Sequence, residues 1–435
     1  MATGRRVRWV AVAWLAVATP ALAQLALPSA GGLVQDVTQG VQGGMNRLGE
    51  SLQDARGDLE RLRLKRLQAL LRSDPRGLER DEGGAVVMRG QVVALEPEPA
   101  ALQAAQAAGF AVLEQRSFGE FGLRLVVLQV PSGLSTRRAL QQLRERDPQG
   151  EYDYNHVYSG SAAAPAATPP AAASASTAPA VAGAATGGFV VGLIDSGVDA
   201  AHPALAGVQV QTWGCDGQVR AQPHGTAVAS LLAGRAVAHG PFARTLYAAD
   251  IYCGQADGGT VVELVGALAW MAQQQVPVIN ISLIGGPNRA LQLAVQRMLA
   301  RGHVLVAAVG NDGPAAPPLY PAAYPGVIGV TAVDARGRVL PEAGRGPQVA
   351  FAAVGELIAA APQGRWQTQR GTSFAAPLVA RLAAQALAQP NPQAAAQLRT
   401  QLQAQARDLG APGADPVYGA GLIGADLALQ RAPGG

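Results

Sequence analysis

The sequence predicts an α/β protein with a mainly parallel central sheet, preceded by a smaller α+β module. Three observations carry this expectation. Beyond position 187, apolar runs such as "GGFVVGLID", "TLYAADIY", "PVINISLI" and "HVLVAAVG" alternate with helical patterns. Strands apolar throughout and separated by helices belong to parallel sheets covered on both faces. Between 85 and 158 the order is strand, helix, strand, strand, helix, strand. Between the two regions, from Gly160 to Gly187, the chain is chiefly alanine, proline, serine and threonine and carries no charge. Such a segment cannot bury a core and marks a boundary between domains.

Residues 1–23 read as a secretory signal. Arg5, Arg6 and Arg8 precede an apolar run from Trp9 to Ala18, and Ala21-Leu22-Ala23 supplies a cleavage site before Gln24. The run is short for a membrane anchor and is followed by Pro20, and no later segment is expected to span a bilayer. Export to the periplasm or the medium is therefore predicted. Cys215 and Cys253 suit that compartment, where an even pair favours a disulfide over two free thiols. Neither cysteine has a metal-ligand spacing with histidine.

Charged residues make up 15% of the chain and the formal balance is only +4. Lys65 is the only lysine, the arginines are scattered, and aromatics are 5%. No basic stripe interleaved with aromatics exists, which excludes nucleic-acid binding from the expectations.

In chain order, residues 24–84 form an N-terminal segment whose stretch 45–72 is charged and amphipathic, as one helix would be. Residues 85–158 follow. Their strands are "AVVMRGQVVAL", "AVLEQRS", "LRLVVLQV" and "EYDYNHVY", and their helices "EPAALQAAQAAG" and "STRRALQQLRER", the second opened by Ser135. That order is the ferredoxin-like one, which by itself implies no activity. The linker is placed at 159–187 and the larger domain at 188–430.

In the larger domain the working residues should lie at the carboxyl ends of the strands. Asp195 ends the first strand in "VVGLIDSGVD", His224 opens the next helix in "PHGTAVAS", and Asn311 follows the strand in "VLVAAVGN". Ser373, in "GTSFAAP", stands at the mouth of an alanine- and leucine-rich helix with Pro377 in its first turns. Taken singly, Asp195 is a turn former or cap, His224 a satisfied core histidine, Asn311 a turn residue and Ser373 a helix cap. Together they supply what a serine nucleophile needs. A histidine takes the hydroxyl proton, a buried carboxylate orients the histidine, and preorganised donors receive the oxyanion. The Asn311 amide and the Ser373 backbone N–H are two such donors. The order Asp–His–Ser is one of three unrelated orders in which this triad occurs.

The chain here resembles the subtilisin-like serine peptidases. "LIDSGVDAAHP" is similar to that family's aspartate motif, "HGTAVAS" to its histidine motif and "NISLIGGP" to its substrate-binding strand. "AAVGNDGP" resembles its oxyanion segment, "GTSFAAP" its serine motif and "DLGAPGADPVYGAGLI" its closing segment. The resemblance covers about residues 188–427 and implies a subtilisin-like three-layer fold. It also implies that residues 85–158 are a propeptide that assists folding and blocks the cleft with its C-terminal tail; a permanent accessory domain is the other reading. By the same resemblance, substrate backbone pairs with two edges, Ser282-Leu283-Ile284-Gly285 and Asp257-Gly258-Gly259. The P1 side chain would then lie between Ser282–Gly286 and Ala308-Val309-Gly310, near Leu319. Tyr320-Pro321 falls where the family often has a cis proline.

Departures bear on what is carried over. Ala227 replaces a common second histidine, Val354 stands where proline is usual, and "NISLIGGP" holds one residue more than many relatives. The segment "LLAGRAVAHGPFARTLYA" is too short for the family's calcium loop and lacks carboxylates; Asp199 reads as a turn residue, and no metal or cofactor is expected. The expectation is an exported serine endopeptidase, monomeric, self-processed from a precursor, acting on proteins or peptides and inhibited by its own propeptide. The alternative is a secreted, non-catalytic binding protein whose cleft its N-terminal domain fills permanently. A lipase or esterase would carry its nucleophile in G-x-S-x-G, which "GTSFA" does not match.

Overall fold

The computed structural model describes residues 57–160 and 188–429, apart from 58, 62, 219, 256 and 257. The signal segment 1–23, the first part of the amphipathic stretch, the linker over 161–187 and Asp257 lie outside the described residues.

Residues 59–61 and 63–73 are helical (α1). Its apolar positions Leu67, Leu70 and Leu71 recur at helical spacing and pack on Leu78, Val86, Met88 and Val157. The smaller module then follows the expected order. Strand β2 (Val86–Leu95), helix α2 (Pro99–Ala107), strands β3 (Ala111–Phe118) and β4 (Leu123–Gln129), helix α3 (Thr136–Arg146) and strand β5 (Glu151–Gly160) succeed one another. A short β1 (Leu78–Arg80), which the sequence pattern does not announce, pairs with β2. The sheet order β5-β2-β4-β3, with antiparallel pairs throughout, is the ferredoxin-like one. Ser135 caps α3 by accepting the Arg138 backbone N–H at 3.3 Å.

Strand β5 runs two residues beyond Tyr158, into the start of the expected linker. Nothing in "SG" favours a strand. The extension exists because the backbone of Ser159 and Gly160 pairs with the larger domain.

The larger domain is built on seven strands. In chain order they are β6 (Val190–Asp195), β7 (Gln209–Trp213), β8 (Thr245–Asp250), β10 (Val278–Ile281), β12 (Val304–Ala308), β13 (Ile328–Val333) and β14 (Val349–Val354). Their order is β14-β13-β12-β10-β6-β8-β7, every pair parallel. Helices α4 (Pro223–Leu232) and α7 (Thr372–Ala386) cover one face, and α5 (Val261–Gln273) and α6 (Arg289–Ala300) the other. Side chains alternate accordingly along β6. Val191 and Leu193 join the core under α4 and α7, and Ile194 joins that under α5 and α6. The remaining elements are β9 (Gly259–Thr260), β11 (Leu283–Ile284), the hairpin β15 (Glu356–Ala361) and β16 (Arg365–Arg370), and helix α8 (Pro392–Gln405).

Strand β6 lies between β8 and β10, so chain connections leave it in both directions. Open parallel sheets have their crevice at such a point, outside the carboxyl ends of the strands. Asp195 ends β6 there.

Candidate active site

Asp195 is fully buried. Its Oδ1 accepts the Ser196 backbone N–H at 2.7 Å and the Ser196 hydroxyl at 3.2 Å, and stands 2.7 Å from His224 Nδ1. A buried carboxylate requires donors of this kind to stay ionised.

His224 is the second residue of α4, behind Pro223, whose fixed φ suits the first helical position. Gly225 permits the approach of this helix to the Asp195 loop. A Cβ at 225 would stand 2.1 Å from the Ser196 carbonyl oxygen, and the Gly225 N–H instead donates to Ser196 Oγ at 3.0 Å. A carboxylate only accepts, so the proton between the pair resides on Nδ1, and Nε2 keeps its lone pair. Nε2 is buried with no hydrogen-bond partner among the described residues. The imidazole lies beside the Phe374 ring, centroids 5.5 Å apart.

Ser373 is the second residue of α7 and is fully buried. Gly371, at φ 133°, turns the chain from β16 into the helix, a conformation other residues reach only with strain. Pro377 has no N–H to return to the carbonyl four residues back, which is that of Ser373. Ser282 supplies the missing donor, its hydroxyl lying 2.9 Å from the Ser373 carbonyl oxygen. The Ser373 hydroxyl in turn donates to the Ser282 carbonyl at 3.2 Å. Asn280 Nδ2 donates to the Ser282 hydroxyl at 2.9 Å, so the serine helix is pinned to the end of β10.

Asn311 follows β12. Its Oδ1 accepts the Thr372 backbone N–H at 3.1 Å, and Thr372 Oγ1 accepts the Gly310 N–H at 3.2 Å. One residue, Thr372, thus fixes the Asn311 amide relative to its neighbour Ser373. The bond also decides which end of the amide is which, with the NH2 opposite to Thr372. Asp312 beside it is buried, and its carboxylate faces Arg66 at 2.6 Å and Arg63 at 3.6 Å.

The two edges expected to hold substrate backbone hold β5. Leu283 and Ile284 of β11 pair antiparallel with Gly160 and Ser159, and Gly259 and Thr260 of β9 pair with Tyr158 and Val157. Gly258, at φ 121°, lets the Tyr158 carbonyl in, since a Cβ there would stand 2.2 Å from its oxygen. Gly285 is bonded to Tyr320 in both directions, at 2.9 and 3.1 Å, and not to β5. Its part is steric, because a Cβ at 285 would stand 2.6 Å from the Tyr158 ring. Tyr158 is fully buried and donates from its hydroxyl to the Gly286 carbonyl at 2.8 Å. Ala308 and Val309 are buried at the end of β12 and just past it. Leu319 closes over Gly310, its Cδ1 2.5 Å from where a Cβ would be, with Ile284 at 3.5 Å. The Tyr320–Pro321 peptide is cis.

A disulfide joins Cys215 and Cys253 with Cα atoms 5.0 Å apart. Ser196, Thr372 and the β5 residues Tyr158 and Gly160 are site residues that sequence reasoning does not single out. Thr372 lies inside the serine motif, but its role depends on a contact with Asn311 sixty-one positions away.

The model of the subtilase family matches residues 186–421. Subtilisin DY of Bacillus licheniformis is 33% identical over 255 residues, which are 55% of this chain and 90% of that protein. Subtilisin of Bacillus pumilus is 31% identical over 251 residues, again 55% of this chain and 90% of the relative. Among solved structures, fervidolysin from Fervidobacterium pennivorans, described as a keratinolytic enzyme related to subtilisin, superposes with a TM-score of 0.62 at 20% identity. That match covers 82% of this chain and 62% of the fervidolysin chain, less than two thirds of it, and bears on the fold alone. With the family model spanning more than half the sequence, this chain belongs to the subtilase family and is a subtilisin-like serine endopeptidase.

Proposed function

We propose that this subtilase is made as an exported precursor, cuts itself after its N-terminal module, and then hydrolyses protein substrates. Ser373 is the nucleophile, His224 the base, Asp195 its orienting partner, and the Asn311 amide with the Ser373 N–H the oxyanion donors. His224 Nε2 takes the proton of Ser373 Oγ as the oxygen bonds to the substrate carbonyl carbon. The carbonyl electrons move onto its oxygen, where fixed donors hold the charge without reorganising. As the tetrahedral carbon collapses, the C–N bond breaks and the imidazolium gives its proton to the leaving amine. Water then repeats the sequence on the acyl-enzyme and regenerates Ser373.

The single observation that carries the precursor reading is the place of β5. Its last residues lie between β9 and β11 as an added strand, and Gly160 reaches the ring of His224. Residues 85–160 are on this reading the propeptide, and the larger domain is the peptidase. A fluorophosphonate should label the exported, processed protein at Ser373 alone, with the labelled peptide identified by mass spectrometry. Equal labelling of His224→Ala and wild type would remove His224 from the mechanism. A non-catalytic protein with a permanently filled cleft would take up no label at all.

A further inference from the structure

Helix α1 precedes the ferredoxin-like module and has no place in it, yet it touches both halves of the molecule. Its C-terminal half packs through Leu67, Leu70 and Leu71 on β1, β2 and β5. Its N-terminal half lies on the oxyanion segment. Arg66 stands 2.6 Å from one oxygen of Asp312 and Arg63 3.6 Å from the other, and Leu59 lies 3.3 Å from where a Cβ of Gly313 would be. Arg63 is also held by Glu60 at 3.0 Å, so its guanidinium sits between two carboxylates.

Asp312 directly follows Asn311, so these contacts lie beside the oxyanion donor. Burial pushes the Asp312 carboxyl up, and the Arg66 and Arg63 charges pull against it.

We propose that the Asp312–Gly313 face is a docking surface for an arginine-bearing amphipathic helix, and that α1 is its occupant, a second inhibitory contact that clasps the module to the peptidase. The inference rests on the reading of β5 as a cleft-blocking tail and adds an element outside it. Cutting the chain after the module removes the covalent link and leaves both contacts intact. Dissociation of the tail alone then does not free the cleft, because α1 holds the module over it. Loss of α1 strips a desolvated carboxylate of its partners, which is where a truncated ion pair costs most.

The test uses the full chain, exported and self-cut, then diluted into a chromogenic peptide substrate. Wild type should show a lag before steady hydrolysis while the module leaves. Arg63→Gln with Arg66→Gln keeps an unbranched polar side chain and helix propensity and removes both charges. The double variant should shorten the lag about tenfold or more and reach the same final rate. An unchanged lag overturns the clasp and leaves the cleft-blocking reading standing. A wild type with no lag at all overturns both. If the double variant is not cut, Arg66→Gln alone decides on the same readout, with a shortened lag expected and an unchanged one overturning the proposal.

Discussion

Gly160 lies against the ring of His224: a Cβ at 160 would stand 3.3 Å from Nε2 and 3.4 Å from both neighbouring ring carbons. With β5 held in the cleft up to the base, self-cutting is expected in the first residues beyond Gly160, near Ala162. Intact mass of wild type should correspond to a chain beginning near Ala162, while Ser373→Ala keeps the module attached. Gly160→Val places two methyl carbons where the imidazole is, so it should slow self-cutting by about an order of magnitude or more. Cutting of Gly160→Val at the wild-type rate would mean that β5 leaves the cleft before the reaction.

Asn311 is held by Thr372, and its replacement removes the candidate oxyanion donor. In Asn311→Leu, kcat should fall by about 10²–10³ with little change in KM, as for a donor that acts only in the transition state. That range is the one known for the oxyanion-hole asparagine of a subtilisin, a relative within this family, and is carried over to this chain. An unchanged kcat would place the oxyanion elsewhere.

The Cys215–Cys253 bridge closes a loop of 38 positions that contains Arg220 and His224. In the chain-entropy model a loop of that length stabilises by about 4 kcal/mol. Double replacement by alanine should lower the urea midpoint of the Ser373→Ala chain accordingly. It should also raise KM or lower kcat in the active enzyme, because the loop carries the candidate base.

Asp81 lies at the edge of the smaller module, its carboxylate 3.0 Å from His156 Nε2 and accepting the Ala85 N–H at 2.8 Å. Burial pushes its carboxyl up, but the His156 contact and the backbone donors Ala85 and Gly83 outweigh this and hold it below the ordinary 3.8. A carboxyl lowered by folding stabilises fully above its unfolded value and loses that contribution as pH falls through the folded one. His156 is bonded through its other nitrogen to Asn288, at 3.0 Å, so the contribution spans the junction of module and peptidase. Urea midpoints of Ser373→Ala should thus exceed those of Ser373→Ala/Asp81→Asn at about pH 6. The difference should shrink as pH falls below about 3.8. A difference independent of pH would assign the effect to packing.

Much of this molecule is legible in one dimension. Apolar runs bounded by helical patterns determine the parallel sheet, because a strand buried on both faces has to be apolar throughout. Asp195, His224, Asn311 and Ser373 are legible because each ends or opens an element whose period is plain, and strand ends and helix mouths face the crevice. The module order is legible for the same reason. Tertiary structure decides what depends on contacts between distant segments. Strand β5 ends at Gly160 and not at Tyr158 because β11 offers it hydrogen bonds, and no local pattern in Ser159-Gly160 encodes that. Ser282 acquires its second task because Pro377, ninety-five positions later, leaves the Ser373 carbonyl without a donor. Helix α1 reads as an amphipathic helix from its spacing alone. Its arginines find Asp312 only once the sheet has carried the oxyanion segment beneath them, since charge pairing follows spatial proximity and leaves no period in the sequence.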